Sequence, residues 1–98
     1  MTQRSVGAAQ PGVTVFLAAA LLLVFPEAER QVEIPATSVN ELMSALDERW
    51  PGMRDRLVDS TPAIRRHINV FVEGERASLQ TPLRPGAKVW VLTSVSGG

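Results

Sequence analysis

The sequence predicts a single α+β domain in which one main helix packs across a mixed β-sheet of about four to five strands. Three observations support this fold class. Apolar residues alternate with other residues in several short segments, as they do in half-buried strands. One longer segment between them repeats its apolar residues at helical spacing. The 98 residues suffice for one small hydrophobic core and for no second domain.

The first two strands are predicted at residues 13–17 and 30–34. The first reads VTVFL and the second RQVEI, and both alternate, with the second expected to end at Pro35. The link between them contains Pro26 and several charged residues, which favours a hairpin-like return. The role of its apolar stretch, residues 18–25, stays open.

The apolar run of residues 13–25 also allows a second interpretation, a secretory signal peptide, because Arg4 precedes it and small residues follow it. Its cleavage region is poor, since Pro26 and Ala28 would stand at the −3 and −1 positions before Glu29. The run is also shorter than the roughly 20 apolar residues that span a bilayer. We therefore favour a strand, a cytoplasmic location and no membrane partner.

The main helix is predicted between Ser38 and Pro51-Gly52. Ser38 and Glu41 are spaced as a capping box, in which the hydroxyl accepts from a free amide and the carboxylate reaches back. Its apolar stripe consists of Val39, Leu42, Met43, Leu46 and Trp50. Residues 53–59 are expected to add a short helical turn.

Two further strands complete the expected fold. Residues 68–73 read INVFVE and precede the turn residue Gly74, and residues 88–93 read KVWVLT after a looser stretch. The resulting order, β-β-α-β-β, is the β-grasp (ubiquitin-like) arrangement.

Alternation assigns two faces to this sheet. The face toward the helix is aliphatic and consists of Val13, Val15, Leu17, Val32, Ile34, Ile68, Val70, Val72, Val89 and Val91. The other, which we name the outer face, consists of Thr14, Phe16, Asn69, Phe71, Glu73, Lys88, Trp90 and Leu92. Its four large apolar residues with a polar rim predict a partner-docking surface. The alternative is that residues 53–59 or the leader, residues 1–12, cover it.

The composition excludes several functions. Lys plus Arg and Asp plus Glu number 10 each, which disfavours nucleic acid as a partner. No cysteine is present, and the single histidine, His67, lies beside Arg65 and Arg66, where a solvated position is expected. We therefore expect no metal site and no bound cofactor. Without a nucleotide loop or a clustered acid–base pair, the chain is not expected to be an enzyme by itself.

The chain ends in SVSGG, residues 94–98, directly after the last predicted strand. Glycine has no side chain, so Gly97 and Gly98 would let the backbone pass a narrow channel in another protein. A Gly-Gly end alone is a weak signal, since glycine is common at flexible termini. Together with the β-grasp order it gains weight. The domain division expected is a leader at 1–12, the β-grasp domain at 13–93 and a tail at 94–98.

The segments SVNELMSAL, RWPG, INVFVEGE, the Pro85-Gly86 turn before KVWVL, and SVSGG resemble the MoaD/ThiS family of ubiquitin-like sulfur carrier proteins. The resemblance covers residues 13–98. It implies that an E1-like adenylyltransferase uses ATP to adenylate Gly98, with Gly97 as the adjoining channel residue. A sulfur donor then converts the terminus to a thiocarboxylate, which a sulfur-accepting enzyme uses.

The resemblance leaves the pathway open between cysteine, molybdopterin and thiamin biosynthesis. Two departures bear on it: residues 84–88, RPGAK, replace the family's acidic turn, and Thr93-Ser94 stands where many members carry proline. The link at residues 54–67 resembles carriers that serve cysteine biosynthesis more than the short thiazole-pathway carriers. It also fits some small subunits of molybdopterin synthase. A third alternative is a ubiquitin-like protein modifier.

Overall fold

The structure, a computed structural model, describes residues 12–94. Within that range the chain forms five strands and three helices. The strands are β1 (Gly12–Leu17), β2 (Gln31–Pro35), β3 (Ile68–Val72), β4 (Glu75–Arg76) and β5 (Lys88–Thr93). The helices are α1 (Ala19–Val24), α2 (Val39–Arg49) and α3 (Met53–Leu57).

The strands form one mixed sheet in the order β2-β1-β5-β3-β4. Strands β1 and β5 pair in parallel at its centre, and the other neighbours pair antiparallel. Because β1 and β5 run in the same direction, their carboxyl ends lie at the same edge of the sheet. The predicted α+β class and mixed β-grasp sheet are confirmed.

The predicted end of β2 was wrong by one residue, since Pro35 is its last residue and pairs with Gly12. Strand β2 is an edge strand of the sheet. A proline is tolerated in an edge strand, because one side of the strand faces solvent and has no neighbouring strand that would need the missing N–H as a hydrogen-bond donor.

The link between β1 and β2 was predicted as a simple hairpin-like return and contains the six-residue helix α1 instead. The two strands do pair antiparallel. Helix α1 reads AALLLV, a run with high helix propensity. It buries Leu21, whereas the Leu23 side chain is 84% exposed.

Strand β4 was missed by the sequence analysis, which left this stretch irregular. After β3 the backbone turns at Glu73 (φ 50°) and Gly74 (φ 88°), so Glu73 lies in a turn and not in the strand as predicted. Glu75 and Arg76 then pair with Val72 and Phe71 of β3. Two residues are too few to show the period-2 alternation by which a strand is recognised.

The predicted N-terminal cap of α2 is present with one change of partner. The Ser38 hydroxyl accepts a hydrogen bond from the Glu41 amide at 3.1 Å. The Glu41 carboxylate accepts from the amide of Thr37 at 2.7 Å, one residue earlier than a capping box requires. The helix ends at Arg49, with Trp50 as its C-cap.

Helix α3 packs one side against the core and does not cover the outer face. Its Met53 and Leu57 side chains are completely buried. The Asp47 carboxylate anchors its start by accepting from the amides of Gly52 at 3.0 Å and Arg54 at 3.1 Å. The alternative that residues 53–59 cover the outer face is therefore wrong, and the leader, named in the other alternative, lies outside the described residues except for Gly12 in β1.

The core between the sheet and the helices is aliphatic, as predicted. Every predicted inward residue is buried except Val72, which is half-buried. Leu42, Met43 and Leu46 of α2 are completely buried against this face. None of the three helices found within residues 12–94 has the length and apolar character needed to cross a bilayer.

Candidate functional site

One row of side chains on the outer face crosses all five strands. The register places Gln31 beside Phe16, Phe16 beside Trp90, Trp90 beside Phe71, and Phe71 beside Arg76. Three aromatic rings thus occupy the three central strands, and polar side chains occupy the two edges. The row is an apolar centre with a polar border, the pattern of a protein-docking surface.

The rings of Phe16 and Trp90 are stacked, with centroids 4.0 Å apart and planes inclined by 14°. This contact joins β1 to β5, the parallel pair at the centre of the sheet. An aromatic pair contributes about 0.5–1.5 kcal/mol beyond the area that it buries. The stack therefore restricts the orientation of both rings in the unbound protein.

Arg76 of β4 extends the row at its edge. Its guanidinium carbon lies 5.8 Å from the centroid of the Phe71 ring, within the range of a cation–π contact. Arg76 was not predicted to belong to the outer face, because β4 itself was not predicted. The turn signal at Gly74 directly after β3 could have indicated a hairpin, and with it the residue opposite Phe71.

The structure brings all four predicted docking residues onto one face. Trp90 is 40% exposed and Leu92 is 37% exposed, whereas Phe16 and Phe71 are half-buried. Large apolar side chains this exposed are unusual in the middle of a sheet, where burial would stabilise the domain. The docking role itself stays a prediction.

The border of the face on the side of the β5 amino end is polar and internally bonded. The Thr14 hydroxyl donates to the Glu33 carboxylate at 2.7 Å. The Glu73 carboxylate accepts from the backbone amide of Lys88 at 2.7 Å. These bonds fix the acidic side chains of the border close to the sheet.

The opposite border contains the start of the tail. The Ser94 amide donates to the His67 carbonyl at 2.8 Å, and the Ser94 hydroxyl accepts from the Asn69 side-chain amide at 2.7 Å. Two hydrogen bonds thus attach Ser94, the last described residue, to His67, which precedes β3, and to Asn69 within β3. The predicted site residues Gly97 and Gly98 lie outside the described residues.

The two carboxylates with lowered pKa values lie away from the outer face. Hydrogen bonds from the backbone and side chain of Thr37 hold the pKa of Glu41 below its ordinary value of 4.5. The side chain and backbone of Thr61 lower the pKa of Asp59 in the same way, with a smaller contribution from the charge of Arg65. The Glu41 carboxylate therefore stabilises the start of α2, and the Asp59 carboxylate stabilises the loop that follows α3.

Neither carboxylate lies on the outer face. Across residues 12–94, no three His, Asp or Glu side chains come together as metal ligands would.

Similar solved structures share this fold over nearly their whole length. CysO in the BexX/CysO complex of Amycolatopsis orientalis is 29% identical, with a TM-score of 0.77, and the match covers 88% of this chain and 99% of that one. SAMP1 of Haloferax volcanii is 27% identical, with a TM-score of 0.75 and coverage of 89% and 99%. CysO of Mycobacterium tuberculosis is 25% identical, with a TM-score of 0.76 and coverage of 85% and 99%.

No curated protein sequence matches the chain significantly. The sequence model of the ThiS family, however, matches residues 18–98, which include α1, the whole of β2 to β5 and the Gly-Gly end. This agrees with the fold and with the resemblance found in the sequence. The chain therefore belongs to the ThiS family, of the MoaD/ThiS type of ubiquitin-like sulfur carriers.

Proposed function

We propose that this protein carries sulfur as a thiocarboxylate on its C-terminal Gly98. One observation supports the proposal above all. Strand β5 presents Trp90 and Leu92 on the exposed outer face, and Ser94 is the next residue in the same alternation. Gly98 follows four positions later. A partner that binds the outer face would therefore receive the tail at its own surface.

The chemistry has two steps. An E1-like adenylyltransferase joins the Gly98 carboxylate to the AMP part of ATP and releases pyrophosphate. A sulfur donor that supplies sulfur at the sulfide level, as hydrosulfide does, then attacks the acyl carbon, forms the C–S bond and displaces AMP, which leaves a thiocarboxylate. Glycine at 97 and 98 suits this reaction because the backbone can enter a narrow active site without a side chain.

The protein is thus a carrier or co-substrate whose partners are the activating enzyme, the sulfur donor and a sulfur-accepting enzyme. ATP is used by the activating enzyme and is not bound by this chain. Such a carrier would work in the cytoplasm, where ATP and these enzymes are found. CysO of Amycolatopsis orientalis is seen in complex with BexX, and its similarity to this chain supports docking to a larger partner.

Cysteine biosynthesis is the receiving pathway that we favour over the molybdopterin and thiamin types. The link at residues 54–67 resembles carriers of the cysteine type, and two of the similar structures are CysO proteins. A small subunit of molybdopterin synthase would instead co-purify with a large subunit in equal amounts. Pull-down of the chain from its native cells distinguishes the two.

The test is intact-protein mass spectrometry after co-expression with the E1-like enzyme from the same organism. We expect a mass increase that corresponds to the exchange of one oxygen for sulfur. The matched control is a chain that lacks Gly98, which should show no exchange. Absence of the exchange in the full chain, or its persistence in the control, contradicts the proposal.

A second candidate function is protein modification, which the similarity to SAMP1, the small archaeal modifier protein 1, favours. In that function Gly98 would end in an isopeptide bond to a lysine. Lys88 is the last basic residue of the chain, so trypsin would leave residues 89–98 on the target lysine. A search of tryptic peptides for this remnant, and not for a simple Gly-Gly remnant, tests the modifier function.

A further inference from the structure

A cleft of about 320 Å³ opens along β3, beside the point at which β4 ends. Strand β4 pairs only with Phe71 and Val72, so the earlier part of β3 has no neighbouring strand on this side. The other two walls are the segment before β3, residues 62–66, and the segment from the end of β4 onward, residues 76–80. This volume is at the lower end of the range found for small-molecule sites, about 300–1,000 Å³.

The ladder between β3 and β4 stops with one hydrogen bond unmade. The Ala77 amide donates to the Val70 carbonyl at 2.8 Å. The return bond, from the Val70 amide to the Ala77 carbonyl, is not formed, and β4 accordingly ends at Arg76. Since the N–H and C=O groups of one strand residue point to the same side, the Val70 amide is directed toward the Ala77 side, where the cleft lies.

This amide is an unusual donor, because Val70 is only 1% exposed. It has no hydrogen-bond partner among residues 12–94. A buried N–H group without a partner costs free energy, and such groups are nearly always satisfied by protein, water or a bound ligand. The base of the cleft thus offers a donor that a ligand oxygen could satisfy.

The charged side chains of the cleft are all positive. Arg66 and Arg76 line it from its two flanking segments, and both are exposed. None of the described residues that line the cleft is acidic, although the chain has 10 acidic and 10 basic residues. A cleft lined by one sign of charge concentrates counter-ions, which here are anions.

A third arginine of the cleft, Arg65, already has partners. Its Nε donates to the Asp55 carbonyl at 3.0 Å, and its charge contributes to the lowered pKa of Asp59. The positive charge that remains for a ligand is therefore that of Arg66 and Arg76.

Arg76 keeps its donors in spite of its contact with the outer face. Its guanidinium carbon lies 5.8 Å from the centroid of the Phe71 ring. A guanidinium can contact an aromatic ring and still donate from its N–H groups, which lie in its own plane.

Donors on three walls suit a phosphate group better than a carboxylate. The Val70 amide belongs to β3, whereas Arg66 precedes that strand and Arg76 follows the turn after it. The two oxygens of a carboxylate lie in one plane, and a single guanidinium already matches them. The oxygens of a phosphate group point in several directions and accept from separate donors. Ser78 and Gln80, which also line the cleft, add neutral donors.

We propose that this cleft binds the phosphate group of a small molecule, either inorganic phosphate or a phosphate monoester. Such a site goes beyond the sulfur-carrier function and does not depend on it, since only residues between 62 and 80 form it.

The test is a two-dimensional NMR titration of the ¹⁵N-labelled full chain with sodium phosphate at constant ionic strength. We expect a saturable shift of the Val70 amide signal. Sodium acetate is the matched control and should leave this signal in place. A Val70 signal that does not move with phosphate, or that moves equally with acetate, overturns the proposal.

A parallel titration with glycerol 3-phosphate distinguishes the two sources of the phosphate group. Saturation at a lower concentration than with inorganic phosphate identifies a monoester as the ligand. Saturation at an equal or higher concentration identifies inorganic phosphate.

A second arm uses Arg66→Gln and Arg76→Gln, two exposed positions at which the fold should be retained. Each variant should weaken phosphate binding by up to about fivefold, and the double variant should lose the saturable shift. The matched control, Arg84→Gln, changes an arginine outside the cleft and should bind as the parent does. The other amide signals report whether each variant is folded, and the single variants serve if the double variant unfolds. Folded variants that bind phosphate as tightly as the parent overturn the proposal.

Discussion

Phe16 and Trp90 stack across the two parallel central strands with their ring centroids 4.0 Å apart. The stack is on the face that the helices leave open, and Trp90 remains 40% exposed. Rings held in a fixed position lose little conformational entropy when a partner binds. The pair is thus an organised centre of the outer face, and its Trp90 lies on β5, the strand that Ser94 follows.

Trp90→Ala is expected to weaken binding of the activating enzyme by at least about 2 kcal/mol, or about thirtyfold in Kd. The fold should persist, because Trp90 is already 40% exposed and lies outside the aliphatic core, and the stack contributes about 0.5–1.5 kcal/mol beyond the area that it buries. Isothermal titration calorimetry measures the affinity, and circular dichroism measures the folded fraction.

The matched control for this variant is Gln31→Ala, at the polar end of the same row, where little binding energy is expected. A folded Trp90→Ala protein that binds the activating enzyme as tightly as the parent would contradict the docking role of the outer face.

Leu21 and Leu23 provide a matched pair within α1. Leu21 is 3% exposed, so Leu21→Ala should lower the free energy of unfolding by about 2–5 kcal/mol. Leu23 is 84% exposed, so Leu23→Ser should change it by no more than about 0.5 kcal/mol. Urea unfolding of both variants gives the values. Equal losses would contradict the placement of α1.

Leu42→Ala in α2 is expected to lower the free energy of unfolding by about 2–5 kcal/mol, since the side chain is completely buried against the sheet. A domain of this size has a total stability of about 5–10 kcal/mol. Thermal unfolding followed by circular dichroism should therefore show a large fall in Tm. A fall within the error of the measurement would contradict the packing of α2 described here.

The carboxylate of Glu41 should make the free energy of unfolding depend on pH in the acid range. Its pKa in the folded protein is lowered from 4.5 by the hydrogen bonds from Thr37. The stabilisation is therefore complete above the unfolded pKa and is lost as the pH falls through the folded pKa. Glu41→Gln should accordingly be less stable than the parent at pH 7, and the difference should shrink at about pH 3.

Ser38→Ala is the control for this pH effect. It removes a cap from the same helix end without a titrating group and should cost about 1 kcal/mol at both pH values. Urea midpoints at the two pH values give both comparisons. A Glu41→Gln difference that is the same at pH 7 and at pH 3 would exclude the carboxylate as its cause.

The sequence by itself determined the elements with strong periodicity and the division of the sheet into two faces. Strand β5 was predicted with its observed bounds, Lys88–Thr93, because alternation over six residues has one interpretation. The side chains of Phe16 and Trp90 were assigned to the same face, since the period of a strand leaves no choice once the core face is known.

Only the tertiary structure decided which strands are neighbours and what lies between them. Helix α1 and the two-residue β4 were missed because short apolar runs and very short strands have no distinctive period. The contact of Arg76 with Phe71 depends on β4, for which the turn residue Gly74 is the only signal in the sequence. A cleft lined by Phe25, Gly52 and His67, among others, joins residues from three separate segments, and no local pattern specifies such a meeting. Sequence periodicity thus fixes which way a side chain points, whereas long-range packing decides what it meets.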